Sequence, residues 1–356
     1  MQTKKVLIIR FSSFGDVLQC LSVPSAILRQ WPKAEIQWVT REDFSELIQG
    51  HPAVSKVWIL KRSDGFGGLR LLASELKAEG FTHVYDAHNN LRSRILCWFL
   101  VGVMGWRIWL GRIQFLRRPI YRLRRFFLFK FRMNFFEKPF NGQRDLLRPL
   151  RRWGLAIEAP PPPQLFLNEN AKASVTSLLG VMVEKPYIAL APSAAFVLKR
   201  WPVANWKSLI LSNGELRFVI LGGPADTFLQ EIAEVAPDRV LNLAGRLSLA
   251  ESAEVVQRST ALVSNDTGLL HVAEQLGKPC IALMGPAPFG FPSRPLTRIL
   301  ELDLDCRPCS KHGQGPCVNP EYQKCLAGIP AHQVSKELNE ILDLHAGRFK
   351  VSERSN

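Results

Sequence analysis

The sequence predicts an α/β protein built as two parallel-sheet halves. Three observations predict it. Short apolar runs alternate with helical patterns from end to end, the mark of strand–helix–strand units. The alternation stops at Ala159-Pro160-Pro161-Pro162-Pro163, where four prolines exclude both a helix interior and a central strand. It then restarts. The 356 residues suit about two domains at roughly 150 residues each. The expected division is 1–163, 164–330 and a C-terminal helix and tail over 331–356.

The elements follow in order. Residues 6–9 read as a buried strand, followed by one helical pattern over 16–30. Residues 36–40 are the next strand, with a helical pattern around 44–49. Residues 57–60 and 83–86 are further strands. Past the prolines, strands are expected at 187–191, 218–221, 240–243, 261–264 and 280–283. A last amphipathic helix is expected from after Pro330 to about Leu344, then a frayed tail. A cleft between two such halves is the default place for a ligand.

Composition narrows the class. Apolar residues make up 47% and charged residues 22%, which excludes wholesale disorder, collagen-like repeats and a small disulfide scaffold. No apolar run reaches the ~18 residues of a membrane span. Lys4-Lys5 is followed by only four apolar residues before Arg10, short of the about 7–15 of a secretory signal. The expected compartment is the cytoplasm, where disulfides among the seven cysteines are not expected.

The net charge of +15 is local. Residues 87–136 hold no Asp or Glu, but eleven basic residues from Arg92 and Arg94 to Arg132, interleaved with Trp and Phe. Such a basic-aromatic patch suits an anionic membrane surface, a phosphorylated glycolipid or nucleic acid. The plainer reading is a helix pair with an apolar core face and a solvated basic face.

Four strand-to-helix corners carry the chemistry. In Arg10-Phe11-Ser12-Ser13-Phe14-Gly15-Asp16-Val17, Gly15 is read as permitting a tight turn. Asp16 is read either as a helix N-cap or as a general base facing the crevice. In Pro192-Ser193-Ala194-Ala195-Phe196-Val197-Leu198-Lys199-Arg200-Trp201-Pro202, the two cations suit a diphosphate. In Leu221-Gly222-Gly223-Pro224-Ala225-Asp226, the carboxylate suits a helix cap or a sugar hydroxyl. Ser264-Asn265-Asp266-Thr267-Gly268-Leu269-Leu270-His271 predicts a helix starting near Gly268, whose free N–H groups face an anion, with His271 one turn on. No G-x-x-x-x-G-K-[ST], H-E-x-x-H or G-x-S-x-G is present.

Cys306, Cys309, Cys317 and Cys325 are spaced C-x2-C-x7-C-x7-C. Structural Zn²⁺, an Fe–S site, redox-active thiols and unliganded loop cysteines all remain open for them. Cys20, Cys97 and Cys280 lie in apolar contexts and read as core.

Taken in order, F-S-S-F-G-D-V, V-Y-D-A-H-N-N-L-R-S, A-P-S…L-K-R-W-P, L-G-G-P-A-D and S-N-D-T-G-L-L-H-V-A resemble the family 9 glycosyltransferases, the ADP-heptose:lipopolysaccharide heptosyltransferases. The similarity runs from about Lys4 to Leu342. It implies a GT-B fold, with two Rossmann-like domains facing a central cleft. The first would bind the acceptor and the second the nucleotide sugar. It implies inverting transfer of heptose from ADP-heptose to the lipopolysaccharide inner core (Kdo or heptose), with no metal required for catalysis.

By the same resemblance, Asp16 is the catalytic carboxylate and Lys199 the diphosphate-binding lysine. Ser193, Asp226, Asp266, Thr267, Gly268 and His271 would contact the donor. Ser13, Gly15, Arg92 and Arg94 would lie on the acceptor side, for a Kdo-lipid A or its heptosylated form. The implied location is cytoplasmic, peripheral at the inner face of the inner membrane and touching its anionic surface, with no nucleic acid partner. This chain departs from its relatives at Ser193, where they commonly carry Gly, and at Ala194 and Ala195, where some carry hydroxyls. The alternatives are a GT-B enzyme with another nucleotide sugar or acceptor, and a non-catalytic lipid- or RNA-binding protein using residues 92–132.

Overall fold

The computed structural model describes residues 3–102, 111, 113–180, 182 and 185–353. The chain forms two compact units. One is Met1–Arg122 with Gly142–Asn168, and the other is Leu123–Asn141 with Glu169–Asn356.

The first unit holds five parallel strands: β1 Lys5–Ile9, β2 Glu35–Arg41, β3 Lys56–Leu60, β4 His83–Asp86 and β5 Gln114–Arg117. Their order is β3-β2-β1-β4-β5. Central β1 is apolar throughout its inner residues because both faces are covered. Its last residue, Ile9, lies opposite Val39 on one side and Asp86 on the other. The returning segment locks on through buried polar bonds. Ser22 Oγ donates to Gln143 Oε1 at 2.9 Å, and the Tyr85 hydroxyl donates to the Leu146 carbonyl at 2.6 Å. The proline run 160–163 falls within this unit's returning segment.

The second unit holds six parallel strands: β6 Ile188–Ala191, β7 Phe218–Ile220, β8 Val240–Asn242, β9 Ala261–Asn265, β10 Cys280–Leu283 and β11 Thr297–Leu300. The order β11-β10-β9-β6-β7-β8 reverses direction between β6 and β9, as the first sheet does between β1 and β4. This is the doubly wound arrangement that opens a crevice at the strands' C-terminal ends. Its core includes Trp201 and Trp206, stacked edge to face at 5.0 Å.

Three expectations are corrected. Two strands were not foreseen, β5 and β11. Both are sheet-edge strands of four residues, and each lacks a continuous apolar run. The expected helix 16–30 is two helices, Phe14–Cys20 and Ser22–Gln30. Pro24 explains the break, since it has no N–H for the Cys20 carbonyl and its ring crowds that oxygen. The final helix, Ala331–Glu353, runs past Leu344 instead of fraying there.

The basic-aromatic stretch forms the helix Leu91–Val101, strand β5 and the helix Arg122–Phe131. Trp106, Arg107, Trp109 and Arg112 of that patch lie outside the described residues. The segment Leu123–Asn141 belongs with the second unit, where Phe129, Phe136 and Phe140 ring Phe289 at 5.1–6.3 Å.

Candidate active site

In the first unit the crevice loops follow β1 and β4. Asp16 does not cap its helix, because the N-cap of Phe14–Cys20 is Ser13 and Asp16 lies in the first turn. Its carboxylate is instead gripped by other side chains. Arg10 reaches one oxygen at 2.7 Å, Arg118 the other at 3.5 Å, and Ser13 Oγ donates at 2.8 Å. The Asp16 side chain remains 37% exposed, so solvent or a ligand can reach it. Gly15 sits in helical backbone inside Phe14–Cys20, so the tight turn expected of it is not there.

Arg10 is buried and Arg118 largely so. Burial lowers the pKa of Arg10 although Asp16 opposes that shift. Burial works the same way on Arg118, but Asp16 and Asp145 outweigh it and its pKa rises. Arg118 Nε also donates to Asp145 at 3.0 Å, and Tyr121 donates to the other Asp145 oxygen at 2.9 Å. Arg10 is anchored to the Ala87 carbonyl at 2.6 Å. Beside them lies His88, whose pKa is pushed down to about 4, first by burial and then by Arg10.

The loop after β4 orders the start of the next helix. Asp86 is fully buried, paired with Arg117 at 2.8 Å and accepting from the Asn89 N–H at 2.8 Å. Asn90 caps Leu91–Val101 in a capping box with Ser93. Arg92 is exposed on the first turn, and Arg94, also exposed, donates to Asn89 Oδ1 at 2.9 Å.

In the second unit the crevice loops follow β6 and β9. Lys199 Nζ pairs with Asp266 Oδ2 at 2.7 Å, both largely buried. Gly290 backs this carboxylate so closely that a Cβ there would lie 1.8 Å from Asp266 Oδ1. Gly313, at φ +82°, covers the Lys199 stem, and a Cβ there would lie 2.7 Å from Lys199 Cγ. Asp226 closes the Gly222-Gly223 turn instead of capping a helix. It accepts from the Gly223 N–H at 2.9 Å, from Ser193 Oγ at 2.5 Å and from Arg200 at 3.3 Å. Asn265 ties the two loops, donating to the Pro192 carbonyl at 2.6 Å and accepting from the Trp201 N–H at 3.1 Å.

The helix Gly268–Leu276 starts from Thr267 in extended backbone with no side-chain cap. Its first-turn N–H groups are therefore unclaimed by a capping side chain, the ordinary condition for anion binding. Lys199, Ser193, Asp226, Asp266, Thr267 and Gly268 thus lie on neighbouring loops at the C-terminal ends of β6, β7 and β9. His271 is buried, with Nδ1 2.8 Å from Glu274 Oε2. Glu274 in turn accepts from the backbone N–H groups of Ser293 and Arg294. That chain makes His271 an anchor for the 293–294 backbone.

Residues 69–320 match glycosyltransferase family 9 (heptosyltransferase). The chain belongs to this family. A lipooligosaccharide heptosyltransferase 2 of Haemophilus ducreyi is 25% identical over 95% of this chain and 99% of its own length. The lipopolysaccharide heptosyltransferase 1 of Pseudomonas aeruginosa is 27% identical over 86% of both chains. Among solved structures, E. coli ADP-heptose lps heptosyltransferase II superposes with a TM-score of 0.69 at 22% identity, covering 96% of this chain and 99% of the other. The fold is GT-B, with two Rossmann-like units, and the protein is a glycosyltransferase. Family 9 membership displaces the non-catalytic reading.

The family 9 chain carries its four clustered cysteines around one cavity, with Leu198, Pro286 and Gln323 in the wall. They do not fit a metal site as placed. Among the described residues no group of three or more His, Cys, Asp or Glu is arranged to hold a metal ion. Cys306 accepts from the Asn319 amide at 3.4 Å and Cys317 from the Gln323 N–H at 3.3 Å. Cys325 is part of the hydrophobic core, and burial pushes its thiol up to about 11. Cys20, Cys97 and Cys280 are buried as expected. Arg118, Asp145 and His88 are the members of this candidate site that sequence reasoning missed. Arg10 did carry a signal, as a lone cation ending an apolar strand.

Proposed function

We propose that this family 9 enzyme transfers heptose from ADP-heptose to the Kdo or heptose of a lipopolysaccharide inner core, with inversion. The first unit would receive the acceptor and the second the nucleotide sugar. The acceptor hydroxyl oxygen attacks the anomeric carbon, the bond to the ADP oxygen breaks, and the hydroxyl proton passes to Asp16. Arg10, Arg118 and Ser13 hold that carboxylate in place. Lys199 and the N–H groups at Gly268 offset charge on the departing diphosphate. Ser193, Asp226, Asp266 and Thr267 shape the donor loops, and His271 fixes the helix behind them. Ser13, Gly15, Arg92 and Arg94 line the acceptor side, the arginines suiting Kdo carboxylates and phosphates. The enzyme works without a metal or other cofactor, in the cytoplasm, against the anionic inner face of the inner membrane, and takes no nucleic acid.

The observation that carries this reading is Asp16: a reachable carboxylate at a sheet's switch point, held by two arginines and not spent on a helix cap. The test is ADP release from ADP-heptose with and without a Kdo-bearing lipid A acceptor, run beside UDP- and GDP-sugars. Acceptor-dependent ADP release supports it. Turnover of another nucleotide sugar with none of ADP-heptose overturns the donor assignment.

A further inference from the structure

The helix Arg122–Phe131 carries apolar residues on two faces, and among the described residues only one face is packed. Arg125, Leu128 and Phe129 face inward. Leu128 is buried, Phe129 packs on Phe289 at 6.3 Å, and the Arg125 guanidinium lies 4.9 Å from the same ring. Arg132, on the same stripe, donates to the Pro308 carbonyl. The other stripe, spaced i, i+3, i+4, i+8, is Leu123, Phe126, Phe127 and Phe131, exposed by 74, 55, 37 and 55%. Met133 and Phe135 extend it, exposed by 49 and 51%. The rings touch one another, Phe126, Phe127 and Phe131 within 5.8–5.9 Å and Phe127 with Phe135 at 6.0 Å. This is one contiguous aromatic patch in water, which soluble surfaces seldom keep without a use.

Charge identifies the occupant. Arg122, Arg124 and Lys130 flank the patch and are exposed, and no acidic residue occurs from 87 to 136. An apolar stripe with a rim of long cationic side chains is the pattern of a helix lying in a lipid headgroup layer. The rings enter the acyl boundary while Arg and Lys reach back to phosphates. A second copy fits poorly, since it brings the same sign of charge and the chain carries +15. We infer that Leu123, Phe126, Phe127, Phe131, Met133 and Phe135 insert shallowly into an anionic phospholipid bilayer. The inference rests on the membrane-surface part of the proposed function and adds insertion to it.

The test is flotation of the full chain with phosphatidylethanolamine vesicles containing one third phosphatidylglycerol, beside pure phosphatidylcholine vesicles. Wild type is expected to float with the anionic vesicles. Phe126→Ser/Phe127→Ser/Phe131→Ser is expected to lose at least about tenfold in partitioning, with an unchanged melting temperature and unchanged turnover of a deacylated, soluble acceptor. Phe131→Trp is expected to gain fluorescence quenching by brominated lipid over the wild-type background. Three results overturn insertion. If the triple variant partitions like wild type and salt alone releases both, the contact is electrostatic and only the surface reading stands. If wild type binds neither vesicle, both readings fall. If wild type forms a dimer that the triple variant loses, and does not float, a second copy covers the face.

Discussion

The two sheets share a topology but treat charge differently at their switch points. In the first unit one carboxylate, Asp16, stands between two arginines, and Arg118 is shared between Asp16 and the buried Asp145. In the second unit charges pair one to one, Lys199 with Asp266 and Arg200 with Asp226, beside a helix end that no side chain caps. The first arrangement fixes one oxygen acceptor against competing motion. Under the proposed function, the second offers Lys199 and the helix N-terminus at Gly268 to the donor diphosphate, in exchange for the Asp266 partner. A catalytic carboxylate needs fixed position, and a donor pocket that binds and releases ADP needs exchangeable partners.

The sharpest way to break the comparison is Asp16→Asn, which keeps size and removes the proton acceptor. Turnover is expected to fall about 10³-fold, with donor affinity within about twofold of wild type. Lys199→Ala comes next. It is expected to lower kcat about 10²-fold and, unlike the Asp16 change, to weaken ADP binding measured by calorimetry. Arg118→Met tests whether the first cluster is also structural. It strands the buried Asp145 carboxylate, which among the described residues keeps Tyr121 at 2.9 Å and Arg148 at 3.9 Å. A loss of about 2 kcal/mol in urea unfolding is expected, below the full cost of an orphaned buried charge. The smallest effect is pH-dependent. His88 titrates at about 4 in the folded protein against an ordinary 6.5, so between those values the unfolded chain binds a proton that the folded chain does not. Stability is expected to fall as pH drops through that window, and His88→Gln to flatten the slope.

Much of this fold was legible because parallel strands buried on both faces are written as continuous apolar runs. The central strands β1, β6 and β9 stood out for that reason. The edge strands β5, Gln-Phe-Leu-Arg, and β11, Thr-Arg-Ile-Leu, did not, being short and half-solvated. At the site, Asp16, Lys199 and Asp266 were legible as polar residues following strands. Their partners were less so. Arg10 is six residues from Asp16, but Arg118 is 102 residues away, and nothing local marks it as distinct from the other arginines of a basic stretch. The Pro24 break in the first helix was legible in principle, since its missing N–H falls four residues after Cys20. The two-faced character of Arg122–Phe131 was not, because apolar residues and arginines occur all round the helix and packing on Phe289 is what marks its inner side.

The most direct measurement of the central claim is a single-turnover assay. Enzyme in excess over ADP-heptose is mixed with a Kdo-bearing lipid A acceptor, for wild type and Asp16→Ala, with ADP-heptose affinity measured on the same samples. The account expects the variant to bind donor like wild type and to transfer heptose at least about 10²-fold more slowly. Transfer at the wild-type rate by a folded, donor-binding variant would contradict it, and would leave Asp16 as no more than a fixed counter-charge for Arg10 and Arg118.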